Sequence, residues 1–182
     1  ILQLFEVVKR HGIDCIVHAG YSIPPGSEQD PATALRVNSV GMNNVLEAVR
    51  LFGVRRVVWT SSSNALGSVF KYYRDPVPDD GLYKPVTMYG ATKALNEFMC
   101  NLYFDKFKVD SIGFRLPRVY GIGRWHGSTG VFTEFLRKAA LNIPQQFDDN
   151  DHTTGYVYIE DVSAFIAAAC DLPTTKTRVL NV

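Results

Sequence analysis

The run "VRRVVWTSSS", residues 54 to 63, sets Val54, Val57, Val58 and Trp59 ahead of Thr60 and three serines. A strand with one wet face would alternate apolar and polar side chains. A run this apolar suits a strand buried on both faces, as in a parallel sheet. Two further runs are of the same kind: "IDCIVHAG" (13–20), ending in small residues, and "VDSIGFRLP" (109–117), cut off by Pro117, which has no N–H for a ladder. Shorter strands are expected in "TTGYVYI" (153–159) and "TRVLNV" (177–182).

Helical periodicity fills the gaps. "ILQLFEVVKRHG" closes on Gly12, and "PATALRVNSVGMNNVLEAVRLFG" opens with Pro31 and closes on Gly53. "MYGATKALNEFMCNLYFDKF", "TGVFTEFLRKAALN" and "EDVSAFIAAACDL" repeat the pattern, and a polar loop runs through "YRDPVPDDGLYKP". Strand and helix in alternation, with apolar strands, predict an α/β fold: a doubly wound parallel sheet, Rossmann-like. No internal repeat or low-complexity linker interrupts it.

Composition narrows the function classes. The 182 residues are 46% hydrophobic and 20% charged, and 19 basic against 18 acidic residues leave a net charge of +1. Lys and Arg form no stripe, so neither nucleic acid nor a membrane surface is an expected partner. No apolar run reaches the roughly 20 residues of a membrane span. Cys15, Cys100 and Cys170 are odd in number and set in apolar runs, which fits buried free thiols in a reducing, cytoplasmic setting.

In open parallel sheets ligands bind beyond the carboxyl ends of the strands. Those ends here are "HAG" (18–20), "TSSSNALG" (60–67) and "LPRVYG" (116–121). Between the last two lies "TMYGATK" (87–93), with Tyr89 and Lys93 on one helix face. A free phenol titrates near ~10, too high for a base at neutral pH, and a nearby ammonium lowers it. A serine hydroxyl, a phenol and an ammonium suit proton transfer at an alcohol from which a hydride leaves.

Six stretches in order now resemble the extended short-chain dehydrogenase/reductases, the NAD-dependent epimerase/dehydratase family. They are "DCIVHAG", "DPATALRVNSVGMNNVLEAVR", "VVWTSSSNALG", "YGATK", "FRLPRVYGIG" and "YVYIEDV". The resemblance implies an NAD or NADP cofactor, with NAD slightly preferred. It makes Tyr89 the acid/base and has Lys93 lower its pKa and bind the nicotinamide ribose. The family's serine falls at Ser62, with Ser61 and Ser63 as near alternatives; Ser61 is also expected beside the cofactor. Ala19, Gly20 and Tyr21 would pass along the cofactor, Asn38 would support the site, and Pro117 and Val119 would lie near the nicotinamide amide. Ser62, Ser63, Asn64, Tyr89, Arg118 and Arg124 are the groups able to meet a sugar-like substrate.

The family's opening strand and glycine-rich turn, which cradle the pyrophosphate, have no counterpart here, so the fold is expected without its N-terminal glycine-rich βα units. Residues 1–120 read as a partial dinucleotide-binding core, 121–155 as a substrate loop and small substrate-domain region, and 156–182 as a return to the core. Gly121, Gly123 and Gly127, with Asp148 or Asp149 beyond, mimic a dinucleotide fingerprint, but Pro117 and Arg118 separate them from the strand. Ser63 and Asn64 stand where the family's dehydratases carry an Asp-Glu pair, which disfavours elimination. Thr154 stands where nucleotide-sugar epimerases carry an arginine, which weakens a UDP-sugar substrate. "SSSNALG" is also similar to the serine strand of the uronate dehydrogenases.

The expectation is a dehydrogenase or reductase acting on a secondary alcohol or ketone of a carbohydrate-like molecule. An epimerase is the close alternative, and a non-catalytic module without its cofactor lobe is the rival of another class. A homodimer through the Tyr89/Lys93 helix follows from the same resemblance. His18 reads as support for the cleft or a ligand contact. His11, His126 and His152 are scattered, so no metal site is expected. Trp125 and His126 read as a lid or as packing, and "FDDNDH" (147–152) as a solvated turn. The serines lack a G-x-S-x-G elbow, which disfavours a serine hydrolase.

Overall fold

The computed structural model describes residues 1–67, 77–124, 130–146, 154–173 and 177–182. Four strands form a parallel sheet: β1 (Cys15–His18), β2 (Arg56–Ser62), β3 (Ser111–Leu116) and β6 (Val179–Asn181), in that spatial order. The register pairs Val58 with both Val17 and Ile112, so the apolar runs lie side by side in the centre of the sheet.

Each face of the sheet carries its own core. On one face Val57 and Trp59 of β2 join Met42, Leu46, Val49 and Cys100 in a buried cluster with the helices α1 (Leu2–His11), α4 (Gly41–Phe52) and α5 (Met88–Phe107). On the other, Val58, Ile112 and Phe114 pack with Val162 and Ala169 of α7 (Ile159–Asp171). Adjacent residues of β2 thus serve opposite cores, which is why the run is apolar throughout rather than alternating. Trp59 is fully buried and fits because residue 113 on the neighbouring strand is glycine: a Cβ there would lie 2.6 Å from the indole.

Helix boundaries follow the sequence signals. Gly12 and Gly53 adopt left-handed conformations at φ 57° and 67° and close α1 and α4. The helix beginning at Pro31 is one continuous element with an insertion. α3 (Pro31–Leu35), capped by the Asp30 side chain on Thr33 N–H, widens into a π turn (Arg36–Val40) before continuing as α4. Such π turns are uncommon and gather at functional sites. A short α2 (Gly26–Gln29), not visible in the periodicity, precedes it.

The strand expected within 153–159 is present, in a sheet of its own. Residues 156–158 do not join the main sheet: β5 (Tyr156–Tyr158) pairs in parallel with β4 (Arg118–Tyr120) in a separate two-stranded sheet. Pro117 ends β3, and the chain resumes at once as β4. Phe132 of α6 (Gly130–Ala140) stacks on the Tyr156 ring and meets Tyr120 edge-on. Val157 still reaches the second core, so this small sheet is anchored to the main one.

Among the described residues no helix is long and apolar enough to cross a membrane. All three cysteines are free, Cys100 buried and Cys15 and Cys170 half-buried against each other.

Candidate active site

Ser62 is the last residue of β2. Its extended backbone caps a tight turn (Ser63–Ala65), and its Oγ accepts from the Asn64 backbone N–H at 3.2 Å and from Asn64 Nδ2 at 3.3 Å. That turn packs against the start of α5. The approach is close enough that a Cβ on Gly90 would lie 2.3 Å from the Asn64 carbonyl oxygen, so only glycine fits between Tyr89 and Ala91.

Two groups fasten the first turn of α5. Thr87 Oγ1 accepts from the Gly90 N–H at 3.0 Å, as an N-cap does. Glu28, sixty residues earlier in the chain, accepts from the Met88 N–H at 2.9 Å and the Tyr89 N–H at 3.1 Å. A carboxylate at a helix N-terminus meets both the free N–H groups and the positive end of the dipole, and these bonds hold the Glu28 carboxyl below the usual carboxylate range.

Tyr89 is therefore held from three directions, and Ser62 is among the groups near enough to act on its phenol. Burial raises the phenol above its ordinary value, while Ser62 and the positive charge of Arg124 pull the other way. Desolvation wins, so Tyr89 is protonated at rest.

Lys93 follows one turn later and is fully buried. Its ammonium donates to the Thr60 carbonyl and lies 2.8 Å from the centroid of the Tyr21 ring, 5.4 Å from that of Tyr89. Burial depresses it well below the ordinary lysine value, and the Glu97 carboxylate one turn on opposes that. Lys93, expected to act on the phenol, thus stands behind the Tyr89 ring, and Arg124 is a second positive charge acting on that phenol.

Asn38 lies in the π turn, fully buried, and ties two parts of the site together. Its Oδ1 accepts from the Ser22 N–H at 2.8 Å, and its Nδ2 donates to the Ser22 carbonyl and to Thr92 Oγ1, both at 3.0 Å. The segment after β1 is thereby pinned to α5. Ala19 and Gly20 at the carboxyl end of β1 are exposed, Tyr21 is half-buried, and space around Gly20 is open.

The remaining expected residues divide. Ser61 donates its hydroxyl to Glu97 Oε1, a tie to α5. Ser63 is half-buried and Asn64 exposed beside Ser62. Pro117 is half-buried in contact range of Gly155, and Val119 packs against the second core. Arg118 is exposed and reaches Tyr156 OH at 3.5 Å. His18 is half-buried with its ring 4.7 Å from that of Tyr21; its Nε2 has no hydrogen-bond partner among the described residues, and burial lowers its pKa to about 4. Trp125, His126, Gly127, Asp148, Asp149 and His152, with the stretch 147–152, lie outside the described residues. Gly121 is required by packing, since a Cβ there would lie 2.7 Å from Ile159 and Tyr158.

Sequence reasoning missed Glu28, Thr92, Glu97 and Arg115. Glu97 accepts from Tyr83 OH at 2.7 Å and from Arg115 Nη2 at 2.7 Å, with both partners of the ion pair almost wholly buried. One signal was available: an arginine inside the apolar strand "SIGFRL" requires a buried acid. Among the described residues no group of three or more His, Cys, Asp or Glu side chains could hold a metal ion. A cavity of about 310 Å³ between Tyr120, Ile122, Leu136 and Tyr158 contains none of Ser62, Tyr89 or Lys93.

Residues 2–182 match the sequence model of the NAD dependent epimerase/dehydratase family. The chain is 34% identical over 145 residues to UDP-glucose 4-epimerase of Mycolicibacterium smegmatis, covering 78% of this chain and 46% of that protein. It superposes on L-threonine dehydrogenase of Phytophthora infestans with a TM-score of 0.86 at 27% identity, covering 99% of this chain and 59% of that one. UDP-glucose 4-epimerase of Thermus thermophilus, in complex with NAD, gives a TM-score of 0.79 at 25% identity, covering 98% and 59%. Three of the curated relatives it matches are spanned over 36%, 46% and 56% of their lengths.

Proposed function

The chain belongs to the NAD dependent epimerase/dehydratase family, and from that premise we propose that it forms the core of an NAD(P)-dependent oxidoreductase. The reaction is hydride transfer at a secondary alcohol or ketone of a small, carbohydrate-like molecule, with NAD the preferred nucleotide. The observation that carries this reading is the half-buried Tyr89 beside Ser62 at the end of β2, with the Lys93 ammonium one helical turn behind, 5.4 Å from the Tyr89 ring centroid.

The residues present fit the nicotinamide half of such a cofactor. Exposed Ala19 and Gly20, with open space around Gly20, leave the end of β1 accessible, and Lys93, fully buried beneath the Tyr21 ring, would meet a ribose once that ring moves aside. Pro117 and Val119 would border the carboxamide. When bound, NAD(P) supplies the hydride donor or acceptor.

The protein's part is proton handling and orientation. Ser62 holds the substrate oxygen without bringing charge. Tyr89, protonated at rest, gives its proton to a carbonyl oxygen during reduction and takes one from the hydroxyl during oxidation. The second direction needs a phenolate, which the nearby cations favour. Arg118 and Arg124 are the cations that would meet an acidic substrate group. Ser63 and Asn64 bring no second acid/base pair, which disfavours elimination.

Similarity to several L-threonine dehydrogenases supports the dehydrogenase reading and adds hydroxy-amino acids to the substrates to be screened. The likeness to UDP-glucose 4-epimerase favours a second reading, NAD-dependent epimerisation of a sugar or nucleotide sugar. A homodimer through α5 is proposed on the exposed Leu95 and Phe98 of that helix and Val37 and Val40 of the adjacent π turn. Monomer by light scattering would refute it. The free thiols support a reducing compartment such as the cytoplasm.

The test is fluorescence titration with NADH and NADPH of the parent and a Tyr89→Phe, Lys93→Ala double variant. Parent binding that weakens in the variant is expected, followed by turnover in a screen of sugar acids, sugars and L-threonine. Equal binding by both proteins would refute the site. A parent extended to full length that binds neither nucleotide would favour the non-catalytic module.

A further inference from the structure

The contact between Tyr21 and Lys93 has no role in the reaction as described. The Lys93 ammonium lies 2.8 Å from the centroid of the Tyr21 ring, close to the negative face by which an aromatic ring attracts a cation. Trp59, at 5.9 Å, and Tyr89, at 5.4 Å, are much farther. Tyr21 is itself located from both sides. His18 packs against its ring at 4.7 Å, its hydroxyl reaches Met42 Sδ at 4.0 Å, and the adjacent Ser22 backbone is held by Asn38.

A fully buried ammonium needs compensation for lost hydration. The Thr60 carbonyl accepts one of its hydrogens. The Glu97 carboxylate is shared with Arg115, Ser61 and Tyr83, so its charge is largely committed elsewhere. Among the described residues the face of Tyr21 is the nearest aromatic surface of negative potential, ahead of Tyr89 and Trp59.

We propose that Tyr21 is a positioning residue for Lys93, its ring face holding the ammonium charged and in place behind Tyr89. This rests on the proposed function only in what Lys93 is held for; the contact itself can be tested without cofactor or substrate. Groups facing Lys93 are His18 from β1, the Trp59 indole and Thr60 carbonyl from β2, Tyr89 and Glu97 from α5, and, through Glu97, Arg115 from β3. Burial lowers Lys93 well below its ordinary value, and His18 is held neutral at pH 7, partly by the Lys93 charge. Tyr21 is neutral too, because burial raises its phenol far above the ordinary range.

The experiment is a ¹³C NMR titration of lysine Cε in the cofactor-free protein, with the Lys93 resonance identified by its loss in Lys93→Arg. Tyr21→Phe keeps the ring and Tyr21→Leu keeps only apolar bulk. The expected result is a Lys93 midpoint in Tyr21→Phe within a few tenths of the parent, and one lower by about 1 pH unit in Tyr21→Leu. Equal midpoints in the Phe and Leu variants, both folded by circular dichroism, would overturn the proposal. A parallel NADH titration of the parent extended to full length separates the two ideas: a midpoint that falls as expected in a protein that binds no nucleotide keeps Tyr21 as the holder of Lys93 and removes the oxidoreductase reading.

Discussion

Replacing Glu97 by glutamine removes one charge from the interior without changing its shape, and the structure specifies what is left behind. Both carboxylate oxygens are occupied: Oε1 by Ser61 and by Arg115 Nε at 3.0 Å, Oε2 by Tyr83 OH at 2.7 Å and by Arg115 Nη2 at 2.7 Å. A glutamine amide offers one oxygen to these donors and turns two N–H groups toward them. Arg115, whose side chain is 2% exposed, becomes a buried cation without its counter-charge. Breaking a buried pair from one side costs about 3–5 kcal/mol, roughly a fifth or more of the stability of an ordinary domain. With a urea dependence of roughly 2 kcal/mol per M, the unfolding midpoint falls by about 2 M. Equilibrium urea unfolding followed by far-UV circular dichroism reads this directly. The double change Glu97→Leu, Arg115→Met, which removes both charges, is expected to recover most of the loss. A single-variant loss below about 0.5 kcal/mol, or a double variant no more stable than the single one, would refute the electrostatic reasoning.

Three further outcomes are expected. Gly90→Ala forces its Cβ from 2.3 Å to an ordinary separation from the Asn64 carbonyl. A shift of Tyr89 by about 1 Å then lowers turnover of the substrate found by screening about 100-fold, against a stability loss of only about 1–2 kcal/mol by urea unfolding; unchanged turnover would contradict the placement of that turn. Gly113→Ala drives a methyl into the Trp59 indole and lowers the melting temperature by about 4–8 °C, checked by calorimetry, where an unchanged melting point would mean the indole has room to move. His18 has a folded-state pKa of about 4 against about 6.5 when unfolded. Between those values the unfolded chain binds the extra proton, so stability is lost as pH falls from about 6.5 toward 4. The loss is roughly 2 kcal/mol after allowing for partial exposure. His18→Phe should be correspondingly less acid-sensitive when urea midpoints at about pH 7 and about pH 4.5 are compared; equal acid sensitivity would show that His18 is not the group responsible.

Much of this architecture was legible because it is written in local pattern. Apolar runs flanked by helical periodicity define β1, β2 and β3, and Gly12 and Gly53 end their helices where the left-handed conformation is needed. Tyr89 and Lys93 had to share a helix face, and Ser62 had to stand near a strand end, whatever the chain did elsewhere. The pairing of 118–120 with 156–158 was not legible. A three-residue strand is too short for its periodicity to stand out, and its partner lies 38 residues away.

What tertiary structure alone decided is which groups meet. Three adjacent serines are equivalent in sequence; packing of α5 turns Ser62 toward Tyr89 and gives Ser61 to Glu97. Glu28 reaches the start of α5 across sixty residues, and Tyr21 comes to rest on Lys93 across seventy-two. Such contacts leave no periodic trace, because each depends on the path of the chain between its partners rather than on their spacing along it. Local sequence therefore supplied the helix, the strand and the candidate side chains, and long-range packing set their charge, hydration and orientation.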